Sequence, residues 1–579
     1  MEPLRVWAPT ARTIAVVTGE GGEGRRLVPN GGGWWLLPAE AVPAGTDYGF
    51  VVDGEGPFPD PRSPWQPHGV HGFSRRIDHA EYGWGDAGWQ PPPLAGGVVY
   101  ELHVGTFTQA GAFIAAVERL DHLADLGVTH VELMPVAAFP GRRGWGYDGV
   151  DLFAPHAAYG GPTGLKQLVD ACHARGLAVV LDVVYNHLGP DGNYLRRFGP
   201  YFTDRYRTPW GEAVNLDDRG SDEVRRFLCD NACMWFRDYH IDALRIDAVH
   251  AIHDSSAVHF LEQLAEETAE LSAHLGRRLT LIAESDLNDP RIVRPRGAGG
   301  YGLDAQWNED FHHALHAVLT GERDGYYADF GRIGDLARVL ERGFLYDGRY
   351  SRYRGRRHGR PADDLPGWTF VGCLQNHDQV GNRARGERAS HLLKPAALRI
   401  GAALVMTSPF VPMLFQGEEW GASTPFPYFT DHQDPELAEA VRRGRREEFA
   451  AFGWDADAIP DPQAEATFAS ARLDWEERGR EPHAGLLEWH RDLIALRRRL
   501  PELVDGDLAA VRVRWDEERR WLIMERGRVV VACLLADAPG ELPVENAVGA
   551  QVLLTAGLEQ AGRDSLHLAA RGVAVLGRF

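Results

Sequence analysis

Acidic and imidazole side chains close several of the apolar runs in this chain. LAVVLDVVY (177–185) carries Asp182 and leads into Asn186 and His187, and DALRID (242–247) ends in Arg245, Ile246 and Asp247. LTLIAES (279–285) supplies Glu284, and TFVGCLQN (369–376) runs into Asn376, His377 and Asp378. A single Asp behind a strand can be no more than the cap of the next helix. Carboxylates, histidines and an arginine at four such ends cannot all be caps. Paired carboxylates suit glycoside cleavage, in which one attacks or stabilises an oxocarbenium-like centre and the other protonates the departing oxygen. Arg245, two residues before Asp247 on the same strand face, keeps Asp247 ionised as the nucleophile. Burial and a like charge nearby raise the pKa of Glu284, which suits the acid/base. Once Asp247 is esterified its charge is gone, Glu284 becomes more acidic, and the same group can then deprotonate water.

These groups need a scaffold that turns strand ends toward one mouth. From residue 98 onward, eight short apolar runs alternate with amphipathic helical stretches: 98–104, 129–135, 177–185, 242–247, 279–285, 302–307, 369–376 and 410–417. Eight βα units predict a (β/α)8 TIM barrel, whose active site lies at the C-terminal ends of the strands. Helices are expected over FIAAVERLDHLADLG, GLKQLVDACHARG and SDEVRRFLCDNACMWFRDY, the last capped by Ser221. The alternation is broken at 188–220, rich in Gly, Pro, Asp and aromatics, where a functional excursion is expected. Before the barrel, LRVWAP, TIAVVTG, GGWWLLP and DYGFVVDG read as an N-terminal β-sandwich, with PPPLAGG (91–97) as linker. After EWHRDLIALRRRL (488–500), five apolar segments read as a small C-terminal β-domain. The expected units are therefore 1–90, 91–502 with the inserted loop subdomain 188–220, and 503–579.

Whole-chain properties narrow the function classes. With 579 residues, 44% hydrophobic and 25% charged, the chain is long enough for a barrel with appendages. No apolar run approaches the roughly 18 residues of a membrane span, and MEPLRVWAPTART lacks a secretory signal pattern, so a cytoplasmic protein with no membrane partner is expected. A net charge of −21 disfavours nucleic acid, and the basic runs at 352–360 and 442–446 read as solvated faces. Five cysteines, few, odd in number and scattered, argue against a disulfide framework, and Cys229 and Cys233, four apart on a helix, read as buried small hydrophobes. No phosphate loop, HExxH or CxxC appears, and no cofactor is expected.

DVVYNH (182–187), ALRIDAVH (243–250), AESD (283–286) and QNHDQVG (375–381) resemble, in order and spacing, the four conserved blocks of the α-amylase family of glycoside hydrolases. The resemblance implies Asp247 as nucleophile, Glu284 as acid/base and Asp378 as the carboxylate that grips sugar hydroxyls. It further implies that His187, Arg245 and His377 bind the same ring and that Tyr147, in GWGYDG, stacks on it. Asn186 matches a position near which some relatives bind Ca²⁺. A hard cation wants about six to eight oxygens, and 188–220 offers no dense ligand cluster, so no metal is expected.

Over nearly its whole length the chain looks like one subfamily, the maltooligosyltrehalose trehalohydrolases. PDPRSPWQPHGVHG (59–72), RIDAVHAIHDSSAVHFL (245–261), YGLDAQWNEDFHHALHAVLTGERDGYYADF (301–330) and FQGEEWGASTPFPYFTDHQDPEL (415–437) carry that resemblance. It implies hydrolysis of the α-1,4 bond next to a terminal α,α-1,1-linked glucose pair, with maltooligosyltrehalose as substrate and trehalose as leaving group. Its N-terminal module is one also found in glycogen branching and debranching enzymes. Recognition of that pair needs contacts beyond the scissile bond. Asp286, His250, Trp307 and Trp210 are the candidates. Oligomeric state is not legible in the sequence.

Overall fold

The computed structural model describes residues 3–19, 21–208, 210–450 and 459–579. Its centre is a closed barrel of eight parallel strands: β1 (Val99–Leu102), β2 (His130–Leu133), β3 (Ala178–Val183), β4 (Ala243–Ile246), β5 (Thr280–Ala283), β6 (Ala305–Trp307), β7 (Phe370–Cys373) and β8 (Val411–Phe415). Each lies within one of the eight runs expected from the sequence. Helices cover the outer face, so these strands are buried on both faces and read as apolar runs rather than as alternating ones. Val99, Val180, Ile282, Ala305, Val371 and Met413 fill the lower interior. Higher up, the parallel register sets Glu101 beside Glu132 and Asp182 beside Arg245, which makes the upper layer polar.

The helices match the expected stretches with two differences. FIAAVERLDHLADLG forms two helices, Phe113–Val117 and Leu120–Leu126. The helix Ser221–Asp238 is capped not by Ser221 but by Gly220, whose φ of 85° is left-handed, and no side chain caps it. Left-handed backbone at a helix entrance favours glycine over serine.

Two small sheets precede the barrel, one built from Leu4–Trp7, Trp34–Leu37 and Val28–Pro29, the other centred on Ile14–Thr18 and Asp47–Val52. A six-stranded sheet from Val511–Asp516 to Leu566–Gly577 follows it. The N-terminal sheets bear directly on the excursion after β3. Trp7 meets Tyr201 edge to face at 5.4 Å, Phe50 meets Phe198 at 6.2 Å, and Phe58 packs on Tyr194 at 5.4 Å. The excursion contains a hairpin, Phe202–Thr208 with Gly211–Val214, whose turn carries Trp210. A second hairpin, Asp347–Ser351 with Arg356–Gly359, lies between β6 and β7. The basic run 352–360, expected as a solvated face, falls in this hairpin, and Arg354 in it is an ion-pair partner of Asp286 at 2.8 Å. Four of the five cysteines are buried and none is in a disulfide.

Candidate active site

Asp247 and Glu284 stand one residue beyond β4 and β5, and the ladder extends far enough to hold their backbones. Asp247 N donates to Val183 O and Glu284 N to Ile246 O, each at 3.0 Å. The side chain of Arg245, wholly buried, organises both. Its Nη1 donates to Asp182 Oδ2 at 2.7 Å and Asp247 Oδ1 at 2.9 Å, and its Nη2 pairs with Glu284 Oε2 at 3.0 Å. A guanidinium presents this planar fork of donors where an ammonium could not. The other oxygen of Asp247 accepts from Asn186 Nδ2 at 2.7 Å. Glu284 Oε2 also accepts from Ala248 N at 2.7 Å, and Ala248 takes a left-handed φ of 40° to aim that N–H. Such a backbone costs a β-carbon residue about 1–3 kcal/mol, and sites of this kind concentrate where function fixes geometry.

The surroundings separate the carboxyl groups electrostatically. Burial raises the pKa of Glu284, and Asp247 raises it further, against the opposing pull of Arg245. Burial likewise lifts Asp182 to about 7, although Arg245 opposes it. Asp378 is also raised by burial, against the pull of His377. Its side chain remains 37% accessible and so faces the mouth.

His377 and Tyr147 form the opposite wall. The His377 Nδ1–H donates to Glu101 Oε1 at 2.5 Å, and Nε2 lies 2.8 Å from the Tyr147 hydroxyl, which donates to Asp182 Oδ2 at 2.6 Å. The Tyr147 and His377 rings stack at 5.2 Å. Tyr147 reaches this position on a tight turn: Gly146 has φ 101°, and a β-carbon there would sit 2.1 Å from Pro135 O. Burial disfavours a charged His377, but the Glu101 and Asp378 carboxylates overcome it and raise its pKa to about 9. A pKa above the usual 6.5 of an unfolded chain contributes stability that is complete below pH 6.5 and lost as pH rises through 9. The stability advantage of wild type over His377→Asn, measured by urea unfolding, should therefore shrink by on the order of 3 kcal/mol between pH 6.5 and pH 9.5. A pH-independent difference would mean that His377 is neutral in the fold.

Among the other residues singled out in the sequence, His187 donates from Nε2 to the Tyr147 carbonyl oxygen (3.0 Å) and pairs with Asn186. Trp210, half exposed, lies flat over His187 at 4.2 Å. Asp286 lies two residues past Glu284, with its pKa lowered because His250 and Arg354 outweigh its burial. His250 is exposed near both acids. Trp307 is not brought to the cleft surface. It is 3% exposed in the barrel interior, with Arg245 lying 4.1 Å over its ring, so that face is not available to a sugar. Sequence reasoning passed over Glu101, the partner of His377, and the donor role of Asn186 toward Asp247. It also passed over Arg354 and Glu309. A lone Glu in the apolar run VVYELHV was the available signal for Glu101. Among the described residues no three His, Cys, Asp or Glu converge as metal ligands.

This arrangement can activate one carboxylate as a nucleophile, keep a second protonated nearby, and hold a polar ring against Tyr147 and His377. Comparison with known proteins agrees with that chemistry. The family described as alpha amylase, catalytic domain, matches residues 99–208. A malto-oligosyltrehalose trehalohydrolase of Arthrobacter ramosus is 54% identical over 574 residues, covering 99% of this chain and 98% of the relative. One from Mycobacterium tuberculosis is 48% identical, covering 100% and 99%. A crystal structure from Salmonella typhimurium superposes with a TM-score of 0.91 at 37% identity, covering 100% of this chain and 97% of the other.

Proposed function

The chain belongs to the malto-oligosyltrehalose trehalohydrolases, within the α-amylase family of glycosidases, and we propose that it carries out their chemistry with Asp247 as nucleophile and Glu284 as acid/base. The enzyme is a retaining glycoside hydrolase that cuts the α-1,4 bond beside the terminal α,α-1,1-linked glucose pair of maltooligosyltrehalose, releasing trehalose and a maltooligosaccharide. The observation that carries the assignment of roles is the Arg245 fork, which grips Asp247 and Glu284 through adjacent nitrogens. Two carboxyl groups joined by one guanidinium favour the short separation of double displacement, roughly 5–5.5 Å, over the wider gap that leaves room for water.

In the first step an Asp247 oxygen attacks the anomeric carbon while the bond to the leaving oxygen breaks and Glu284 gives that oxygen its proton. Trehalose leaves and a glycosyl ester remains on Asp247. In the second step Glu284, now a carboxylate, takes a proton from water, whose oxygen displaces Asp247 from the same carbon. Asp378, Arg245, His187, His377 and Tyr147 hold the ring being transferred. Asp286, His250 and Trp210 belong to the side of the leaving pair in this reading. The N-terminal module (1–90) and the β-domain (503–579) flank the catalytic unit (91–502), and the N-terminal sheets brace the 188–220 excursion. Action in the cytoplasm is part of the proposal; among the described residues no helix is long and apolar enough to cross a membrane.

Product analysis tests the reading. Incubation with maltotriosyltrehalose should yield free trehalose and maltotriose, resolved by chromatography, whereas amylose should gain no α-1,6 branches. New branches without trehalose would replace hydrolysis by glycosyl transfer.

A further inference from the structure

Two adjacent carboxyl groups open the helix Glu309–Thr320 behind β6, and the fold treats them oppositely. Asp310 is buried and accepts from Asn288 Nδ2 at 2.8 Å, Leu345 N at 2.7 Å and Tyr346 N at 2.8 Å. Those bonds pin the first turn of the helix to the segment just past Asp286 and to the approach to the second hairpin. The Glu309 carboxyl has no hydrogen bond or ion pair among the described residues, and the residue is partly exposed. Four acids, Glu284, Asp286, Asp378 and Asp310, act on its charge, and Arg354, the ion-pair partner of Asp286, attracts it in the opposite sense.

A carboxylate at a helix N-terminus is ordinarily favourable, and on a solvated helix this would be explanation enough. Here the helix end faces a cleft that already holds several acids. Burial and those neighbours push the pKa of Glu309 well above the usual carboxyl value. An acid held against repulsion, with its neighbour locked and its own oxygens uncommitted, breaks a local rule without gain to the fold. Breaks of that kind mark functional positions.

We infer that Glu309 is a specificity-determining residue whose carboxyl hydrogen-bonds hydroxyls of the leaving disaccharide and favours an α,α-1,1-linked glucose pair over an α-1,4-linked one. The inference rests on the trehalose-releasing reading above. Glu284 protonates the leaving oxygen, so groups beyond it along the chain, Asp286 and then Glu309 beside it, meet the leaving sugars. The two linkages turn the second ring differently and present different hydroxyls. A site built to bond one set leaves polar groups unpaired with the other, which is the strong form of discrimination. The uncommitted carboxyl oxygens of Glu309 can accept from sugar hydroxyls, whereas Asp286 already accepts from Arg354 at 2.8 Å.

The test compares wild type, Glu309→Gln and Glu309→Leu on maltotriosyltrehalose and on maltopentaose, a chain of equal length that ends in an α-1,4 pair. The ratio of kcat/KM for the two substrates should fall at least about tenfold in Glu309→Leu and less in Glu309→Gln. Inhibition by free trehalose should weaken in the same order. A ratio within threefold of wild type overturns the inference, whether or not both activities fall together, because a structural or general catalytic role would move both substrates alike. If Glu309→Leu does not fold, the ratio for Glu309→Gln decides. Absence of trehalose from the wild-type reaction would instead sink the functional reading on which the inference rests.

Discussion

Asp247→Asn should lower kcat for trehalose release by on the order of 10⁴-fold or more, while binding of a maltooligosaccharide, measured by calorimetry, persists. Asp247 places one oxygen against Arg245 and the other against Asn186. An amide of the same shape offers a carbonyl oxygen to only one of those donors and turns its N–H₂ toward the other. It therefore loses both the nucleophilic charge and half of its support. Arg245 retains Asp182 and Glu284 as partners, so the cleft should keep its form. Double displacement also fixes stereochemistry. In the wild-type reaction, proton NMR in the first minutes should show the new reducing end as the α-anomer, with β appearing only through mutarotation. An initial β product would mean that water attacks directly and that Asp247 is not the nucleophile. Undiminished hydrolysis by Asp247→Asn would mean the same.

The barrel and its strand-end acids were legible for one physical reason. A parallel strand buried on both faces has an apolar sequence, and a polar residue that ends it has few places to go but the mouth. Asp247, Glu284 and His377 could be read that way, and so could the attraction of Arg245 for Asp247 two residues along. Contacts across the barrel could not. Glu101 meets His377 from a strand 276 residues away, and one acid within an apolar run does not announce its partner. Trp307 shows the opposite limit. It ends β6 with the same inward parity as Ala305, which points it into the barrel beneath Arg245. Its ring suggested a sugar platform, but its place in the strand decided otherwise. The second hairpin was hidden by composition, since six arginines between 349 and 360 look like a solvated run until Asp286 is seen to hold one of them.

Glu284→Gln should be the most informative loss after that of the nucleophile, because its size should depend on the leaving group. Trehalose departs as a poor leaving group that needs a proton, and removal of the general acid should cost on the order of 10³-fold or more in kcat/KM. An α-maltosyl fluoride leaves without protonation, so the first step on that substrate should fall far less in Glu284→Gln. Release of fluoride in a single turnover measures it. The pH dependence follows from the same group. Glu284 must hold its proton for the first step, and burial together with Asp247 keeps that proton on above the ordinary carboxylate range. Activity on maltotriosyltrehalose should therefore fall on the alkaline side as pH rises through this elevated pKa, and Glu284→Gln should lose that limb. An alkaline limb unchanged in Glu284→Gln would assign the titration elsewhere. Asp182 and His377 are the alternatives, since burial and the Glu101 and Asp378 carboxylates move their pKa values to about 7 and about 9. The fluoride experiment separates these cases. Asp182 and His377 support Arg245 and Tyr147 rather than the leaving oxygen, so their loss should slow both substrates together, whereas loss of the proton donor should slow the trehalose-ended one alone.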